Sequence, residues 1–311
     1  MKIASSFLQS KHMKSNKPKV VIEAFPACNG AKAQEHSREH SSLFPRMFSP
    51  LEQADSRVKV VPRSGFNWDT YGYLEENGLL DDVEISPWED QAHPQLHFIS
   101  HIPQNIPGEQ LVAQLFRNIP EKTWLFKYGR VPMSFIMSDW VWRRVSAERS
   151  DKERCKLSVI AEATSLFHVS LDPDLVSPFA DHFHPVPVTS SAQNRRTENR
   201  RLGTLTLPVN VTPLADQVIE RGHLDTWDYV LRRLFVLKST PLKGAISSLA
   251  PGAEILLKTI TDRNLPREQR VDIGKQVRKL DIADWALLVR AFETWPFAPE
   301  DLTIDSFQSN D

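Results

Sequence analysis

His97-Phe-Ile-Ser-His-Ile-Pro-Gln-Asn-Ile-Pro-Gly-Glu-Gln-Leu-Val-Ala-Gln-Leu-Phe-Arg-Asn-Ile119 sets the architecture of this chain. Its first six residues, HFISHI, form a short apolar run that ends at Pro103, as a strand buried on both faces does. From Gly108 to Ile119 the period changes. Leu111, Val112, Leu115, Phe116 and Ile119 recur at helical spacing, which predicts an amphipathic helix. A strand followed by a helix, in a chain where strands alternate with helices, implies an α/β layered sheet.

The same pattern extends outward. Lys19–Phe25 (KVVIEAF), Arg57–Val61, Trp124–Tyr128, Val131–Met137 and Leu202–Val211 read as further strands, and Ser158–Phe167 as either helix or strand. Gly65–Gly78 is turn-rich and aromatic and reads as a covering segment. Ser190–Arg201 has no apolar period and reads as a loop. Beyond Thr226 the pattern is helical: Trp227, Val230, Leu231, Leu234 and Phe235 share one face. A helix around Ala245–Ile260 is interrupted at Pro251 and Gly252, and a last helix opens at Asp281. The expected organisation is a flexible or organelle-transit segment at 1–18, a sheet domain at 19–215, a small helical domain at 216–300 and a tail at 301–311.

Composition narrows the function classes. The 311 residues are 41% hydrophobic and 25% charged, with a formal net charge of −1. A polynucleotide binder with that balance must gather its cations locally. Gln193–Arg201 does so, with Arg195, Arg196, Arg200 and Arg201 against one glutamate; guanidinium forks suit phosphate. Lys127 and Arg130, flanking Tyr128, are candidates for the same groove, with packing of Tyr128 as the plain alternative. The two cysteines, Cys28 and Cys155, have no CxxC partner, so neither a disulfide framework nor a thiolate metal site is expected. The pairs His36/His40 and His182/His184 lack third and fourth ligands in register, and no metal is expected. No apolar run approaches the ~18 residues of a membrane helix. The first 22 residues are lysine- and serine-rich and free of acids, in the manner of an organelle transit peptide. Trp285 and Trp295 read as core, and Trp68 and Tyr71 as a buried aromatic cluster in preference to a base-stacking pair.

The order of these landmarks resembles the rRNA adenine N6-dimethyltransferase superfamily. Glu23–Asn29 (EAFPACN) stands where that family has E-x-G-P-G-x-G. His101-Ile-Pro-Gln-Asn-Ile106 stands for N-L-P-Y-N-I, and Arg154–Val159 for R-x-x-L-S-V. Phe183–Pro185, Leu205–Pro208 and Trp227–Lys238 resemble the later segments. Within the superfamily, Gly65–Tyr71, Gly108–Leu111, Trp124–Val131 and Trp295–Phe297 are similar to the fungal mitochondrial transcription factor B branch. The resemblance implies a Rossmann-like class I methyltransferase sheet, its amino-terminal part degenerate or shortened, followed by a small helical domain. It also implies a mitochondrial matrix protein that binds promoter DNA or rRNA and assists a mitochondrial RNA polymerase in melting promoters.

What the resemblance implies about chemistry is loss. The family's three glycines, which let backbone approach S-adenosylmethionine, read Phe25, Ala27 and Asn29; of that cofactor set Glu23, Pro26 and the adjacent Gly30 remain. The target-base motif is occupied by His101, Pro103 and Gln104, so the amide that accepts from the adenine amine and the ring that stacks on the flipped base are both replaced. No bound cofactor is therefore expected. An active S-adenosylmethionine-dependent rRNA adenine N6,N6-dimethyltransferase is the alternative.

Overall fold

The protein is described from a computed structural model covering residues 19–25, 48–177 and 205–302. Five strands, β1 (Val20–Ala24), β2 (Leu96–His101), β3 (Met133–Ser138), β4 (Ser165–Val169) and β5 (Thr206–Pro213), form one sheet in the order β1-β2-β3-β5-β4. β1, β2 and β3 run parallel, whereas β5 is antiparallel to both β3 and β4. This is the expected α/β Rossmann-like sheet; among the described residues, β1 forms its amino-terminal edge.

The central strands follow from composition. All six residues of β3, MSFIMS, are buried, as parallel strands covered on both faces require. The helix after β2, α2 (Ile106–Glu121), buries Leu111, Val112, Leu115, Phe116 and Ile119 against the sheet. Its start is fixed locally: the Asn105 side chain accepts a hydrogen bond from the Gly108 N–H at 2.9 Å, and Pro107 lies in the first turn. The remaining helices of the sheet layer are α1 (Asp69–Glu76), α3 (Asp139–Val145) and α4 (Lys156–Thr164). Arg154 is fully buried at the entrance to α4, donating to the Ala147 carbonyl at 2.9 Å and pairing with Glu162 at 2.8 Å.

The carboxyl-terminal part is helical, with α5 (Leu224–Phe235), α6 (Ile255–Ile260) and α7 (Ile282–Glu293). Asp281 caps α7 as expected, accepting from the Asp284 N–H at 2.9 Å. Trp285 and Trp295 are buried in this core, Trp285 stacked on Phe235 at 5.5 Å. A buried ionic cluster fastens α5 to the sheet layer. Asp228 of α5 meets Arg117 of α2 and, at 3.2 Å, Lys156 of α4.

Four expectations need correction or completion. Arg57–Val61 is not a strand; Arg57 and Lys59 are exposed, and the Val60 N–H donates to the Glu52 carboxylate at 3.3 Å instead of to a ladder. Trp124–Tyr128 is a 3-10 helix because Trp124 takes a left-handed φ of 54° and turns the chain. Gly65–Gly78 contains the helix α1, whose buried side Thr70, Tyr71 and Leu74 supply. Ser158–Phe167 is neither helix nor strand alone: α4 passes directly into β4 at Ser165.

Candidate nucleic-acid interface

Parallel sheets bind ligands beyond the carboxyl ends of their strands, and the family's target-base motif leaves β2 at that end. Ile102 is buried and its N–H donates to the Ile136 carbonyl at 2.8 Å, so the motif is tied to β3. A tight turn follows, with the Asn105 N–H donating to the Pro103 carbonyl at 2.8 Å. Gly108 is required here. A Cβ at that position would lie 2.0 Å from the Pro103 carbonyl oxygen, so the first turn of α2 can sit on the motif only without a side chain. Burial pushes His101 down to about 4, leaving its imidazole neutral at physiological pH. The Gln104 amide donates to Thr206 Oγ1 of β5 at 3.4 Å, and its Oε1 has no hydrogen-bond partner among the described residues. The end of β2 thus carries a neutral imidazole and a carboxamide whose Oε1 is buried; a stacking ring at position 104 is lacking.

At the amino-terminal flank, Phe25 follows β1 in the position of the first family glycine. It has a φ of 54°, the left-handed conformation that favours glycine. Its ring packs on Phe66, with centroids 4.4 Å apart. It also lies so close to Gly65 that a Cβ there would be 2.9 Å from the ring. Phe25 thus keeps a backbone conformation that favours glycine while its phenyl ring occupies the space between Phe66 and Gly65. Glu23 is exposed in β1, opposite Ile99 of β2. Pro26 and Gly30 lie outside the described residues, as do Arg195, Arg196, Arg200, Arg201 and the four histidines weighed as metal ligands. Among the described residues no group of three His, Cys, Asp or Glu side chains is placed to hold a metal.

The structure does not bring Lys127 and Arg130 to the His101 end. Both precede β3, whereas His101 ends β2 and Gln104 follows it, so the length of a parallel strand, roughly 20 Å, separates them. Lys127 pairs with Glu75 at 2.5 Å, and Tyr128 donates to the same carboxylate at 3.1 Å. Arg130 donates to the Pro213 carbonyl at 3.1 Å and to that of Asp90. Beside Lys127, Trp68, Tyr71 and Trp124 line a concavity of about 240 Å³. Tyr71 is buried as expected, but Trp68 is 40% exposed.

Sequence reading passed over two features. His97 shares a hydrogen bond with Ser134 at 2.8 Å, and Ser134 donates to Asn210 at 2.7 Å, a buried polar relay across β2, β3 and β5. Only the single polar residues inside apolar strands marked it. Trp140, in the first turn of α3, is 49% exposed; an aromatic followed by Val-Trp-Arg-Arg reads equally well as core.

The family model described as "Ribosomal RNA adenine dimethylase" matches residues 34–293. Mitochondrial transcription factor 1 of Saccharomyces paradoxus is 26% identical over 281 residues, covering 87% of this chain and 76% of that protein. Its namesake in Saccharomyces cerevisiae is 26% identical over 294 residues, covering 87% and 80%. A crystal structure of a dimethyladenosine transferase from Plasmodium falciparum aligns with a TM-score of 0.47 at 11% identity, covering 94% of this chain and 95% of that one. With a match extending over most of its length, the chain belongs to the ribosomal RNA adenine dimethylase family.

Proposed function

We propose that this protein is a mitochondrial transcription initiation factor that has kept the adenine dimethylase fold and given up methyl transfer. It works in the matrix, beside a mitochondrial RNA polymerase, and holds an unpaired strand while the promoter opens. The observation that carries the loss of chemistry is Phe25: a phenyl side chain, packed on Phe66 and against Gly65, stands at the position that resembles the first family glycine, where the main chain would have to approach the cofactor closely. On this reading Phe25, Ala27 and Asn29, in place of the family's glycines, do not fit S-adenosylmethionine. The transcription role is supported by likeness over 87% of this chain to two yeast proteins named mitochondrial transcription factor 1.

The carboxyl end of β2 supplies what strand holding requires. His101 is uncharged, Gln104 offers an amide, and both sit where family enzymes receive a splayed-out base. Arg195, Arg196, Arg200 and Arg201 are proposed from the sequence as phosphate contacts. Lys127 and Arg130 stay in that set as weaker members, since each already holds protein oxygens. No helix among the described residues is long and apolar enough to cross a membrane.

The test pairs two measurements. Run-off transcription by the mitochondrial polymerase is compared on a closed duplex promoter and on the same promoter opened beforehand. The protein should raise the yield on the closed template far more than on the open one. Calorimetry with S-adenosylmethionine at millimolar concentration should give no binding heat. Equal yields with and without the protein on the closed promoter would refute the transcription role, and saturable cofactor binding would refute the loss of chemistry.

A further inference from the structure

Trp140 lies at the same end of the sheet as the target-base motif, and the fold explains why it faces outward there. Ser138 ends β3 and pairs with Thr206 of β5, the residue whose hydroxyl receives the Gln104 amide. The next N–H, that of Asp139, donates to the Leu205 carbonyl at 2.7 Å, and the Ser138 hydroxyl caps α3 by accepting from the Val141 N–H at 3.4 Å. Asp139 also pairs with Arg143 one turn on, at 2.7 Å. The backbone that carries Trp140 is therefore tied to β5 on one side and to its own helix on the other. The indole is left 49% exposed, with no ring neighbour among the described residues. Two further large apolar side chains at this end, Ile106 and Leu205, are 50% and 42% exposed.

A half-exposed indole on a fixed backbone costs little further ordering when it receives a flat partner. The neighbouring polar groups are a neutral imidazole and a carboxamide, which suit an uncharged heterocycle with hydrogen-bonding edges. Position 104 has lost its ring, and Trp140 supplies a π-face one strand away. We infer that Trp140 is the stacking platform for an unpaired nucleobase at the carboxyl end of β2 and β3, taking over from the ring that Gln104 replaces. The inference rests on the strand-holding reading proposed above and names the residue that does the holding.

The experiment titrates the full chain with a fluorescently labelled single strand of about 12 nucleotides carrying one 2-aminopurine. It uses the parent protein, Trp140→Ala and Trp140→Phe. Stacking on an aromatic face corresponds to about a 5- to 100-fold change in affinity per base. Trp140→Ala should bind that much more weakly and lose the quenching of 2-aminopurine emission, while Trp140→Phe retains most of both. The slope of affinity against salt should be the same in all three, because indole neutralises no phosphate. A strand with an abasic site in place of 2-aminopurine should no longer distinguish parent from Trp140→Ala. Equal melting temperatures would establish that all three proteins are folded. Parent-like affinity and quenching in Trp140→Ala would overturn the inference while leaving strand holding intact. Failure of the parent itself to bind any strand would overturn both.

Discussion

Replacing Asp228 by Asn should loosen the helical part from the sheet layer. The Asp228 side chain is 8% exposed and stands between Arg117, 24% exposed, and Lys156, 34% exposed. Asn keeps the shape and removes the charge, leaving two cations facing each other without their shared anion. Asp225 remains near Arg117, at 3.6 Å, but at 75% exposure it adds little, and Glu121 acts on Arg117 only through its charge. Removing one member of a fully buried pair costs about 3–5 kcal/mol; the partial exposure of both cations reduces this to about 2–3 kcal/mol. At about 2.1 cal/mol/K per residue, a chain of 311 residues unfolds with an entropy near 0.65 kcal/mol/K, so the melting temperature should fall by about 3–5 °C. Scanning calorimetry of parent and variant at pH 7 reads this directly. In a cycle with Arg117→Ala the double variant should lose less than the two single losses combined. A drop smaller than about 1 °C, or strict additivity, would mean that apolar packing alone joins α5 to α2 and α4.

Other perturbations probe separate parts of the molecule. Burial and the Arg117 and Arg232 guanidinia hold Lys156 down to about 8, against an unfolded value of 10.5. Between those values the unfolded chain binds more protons, so this group's contribution to stability rises with pH. Denaturant titrations at pH 8 and 10 should show that rise flattened in Lys156→Met. Burial likewise pushes His97 from 6.5 to about 4. Its contribution is present above 6.5 and lost as pH falls toward 4, and His97→Asn should flatten the acid side of the stability profile over that interval. Gly108→Ala places a Cβ 2.0 Å from the Pro103 carbonyl; a cost of about 3 kcal/mol, with a loss of strand affinity, is expected from thermal melts and anisotropy.

Much of the sheet could be read from the chain because its central strands are apolar on both faces and its long helix keeps a clean period. HFISHI and VPMSFIM needed no tertiary information. Arg57–Val61 misled because three valines suggest a strand regardless of whether a neighbour is there to pair with. Trp124–Tyr128 misled because a left-handed residue cannot be anticipated at a tryptophan. At the candidate site, the motif positions His101 and Gln104 were visible as substitutions. That Phe25 retains the bend of a glycine, and that Trp140 faces outward, depend on backbone geometry and on the residues packed around them. The partners of Lys127 and Arg130 lie 52 and up to 83 residues away in the chain, beyond the reach of any local pattern.

The His97–Ser134–Asn210 relay has a consequence for folding fidelity. Met133, Phe135 and Met137 of β3 are all large and apolar, so sliding that strand by two positions would return each to the same side with similar neighbours. Hydrophobicity alone would tolerate such a misalignment. The hydroxyl of Ser134 would not: displaced, it would leave an imidazole and a carboxamide stranded in the interior, each costing about 1–3 kcal/mol. One small hydroxyl thus acts as an alignment key between the parallel and antiparallel halves, excluding the off-by-two pairings that greasy strands otherwise permit.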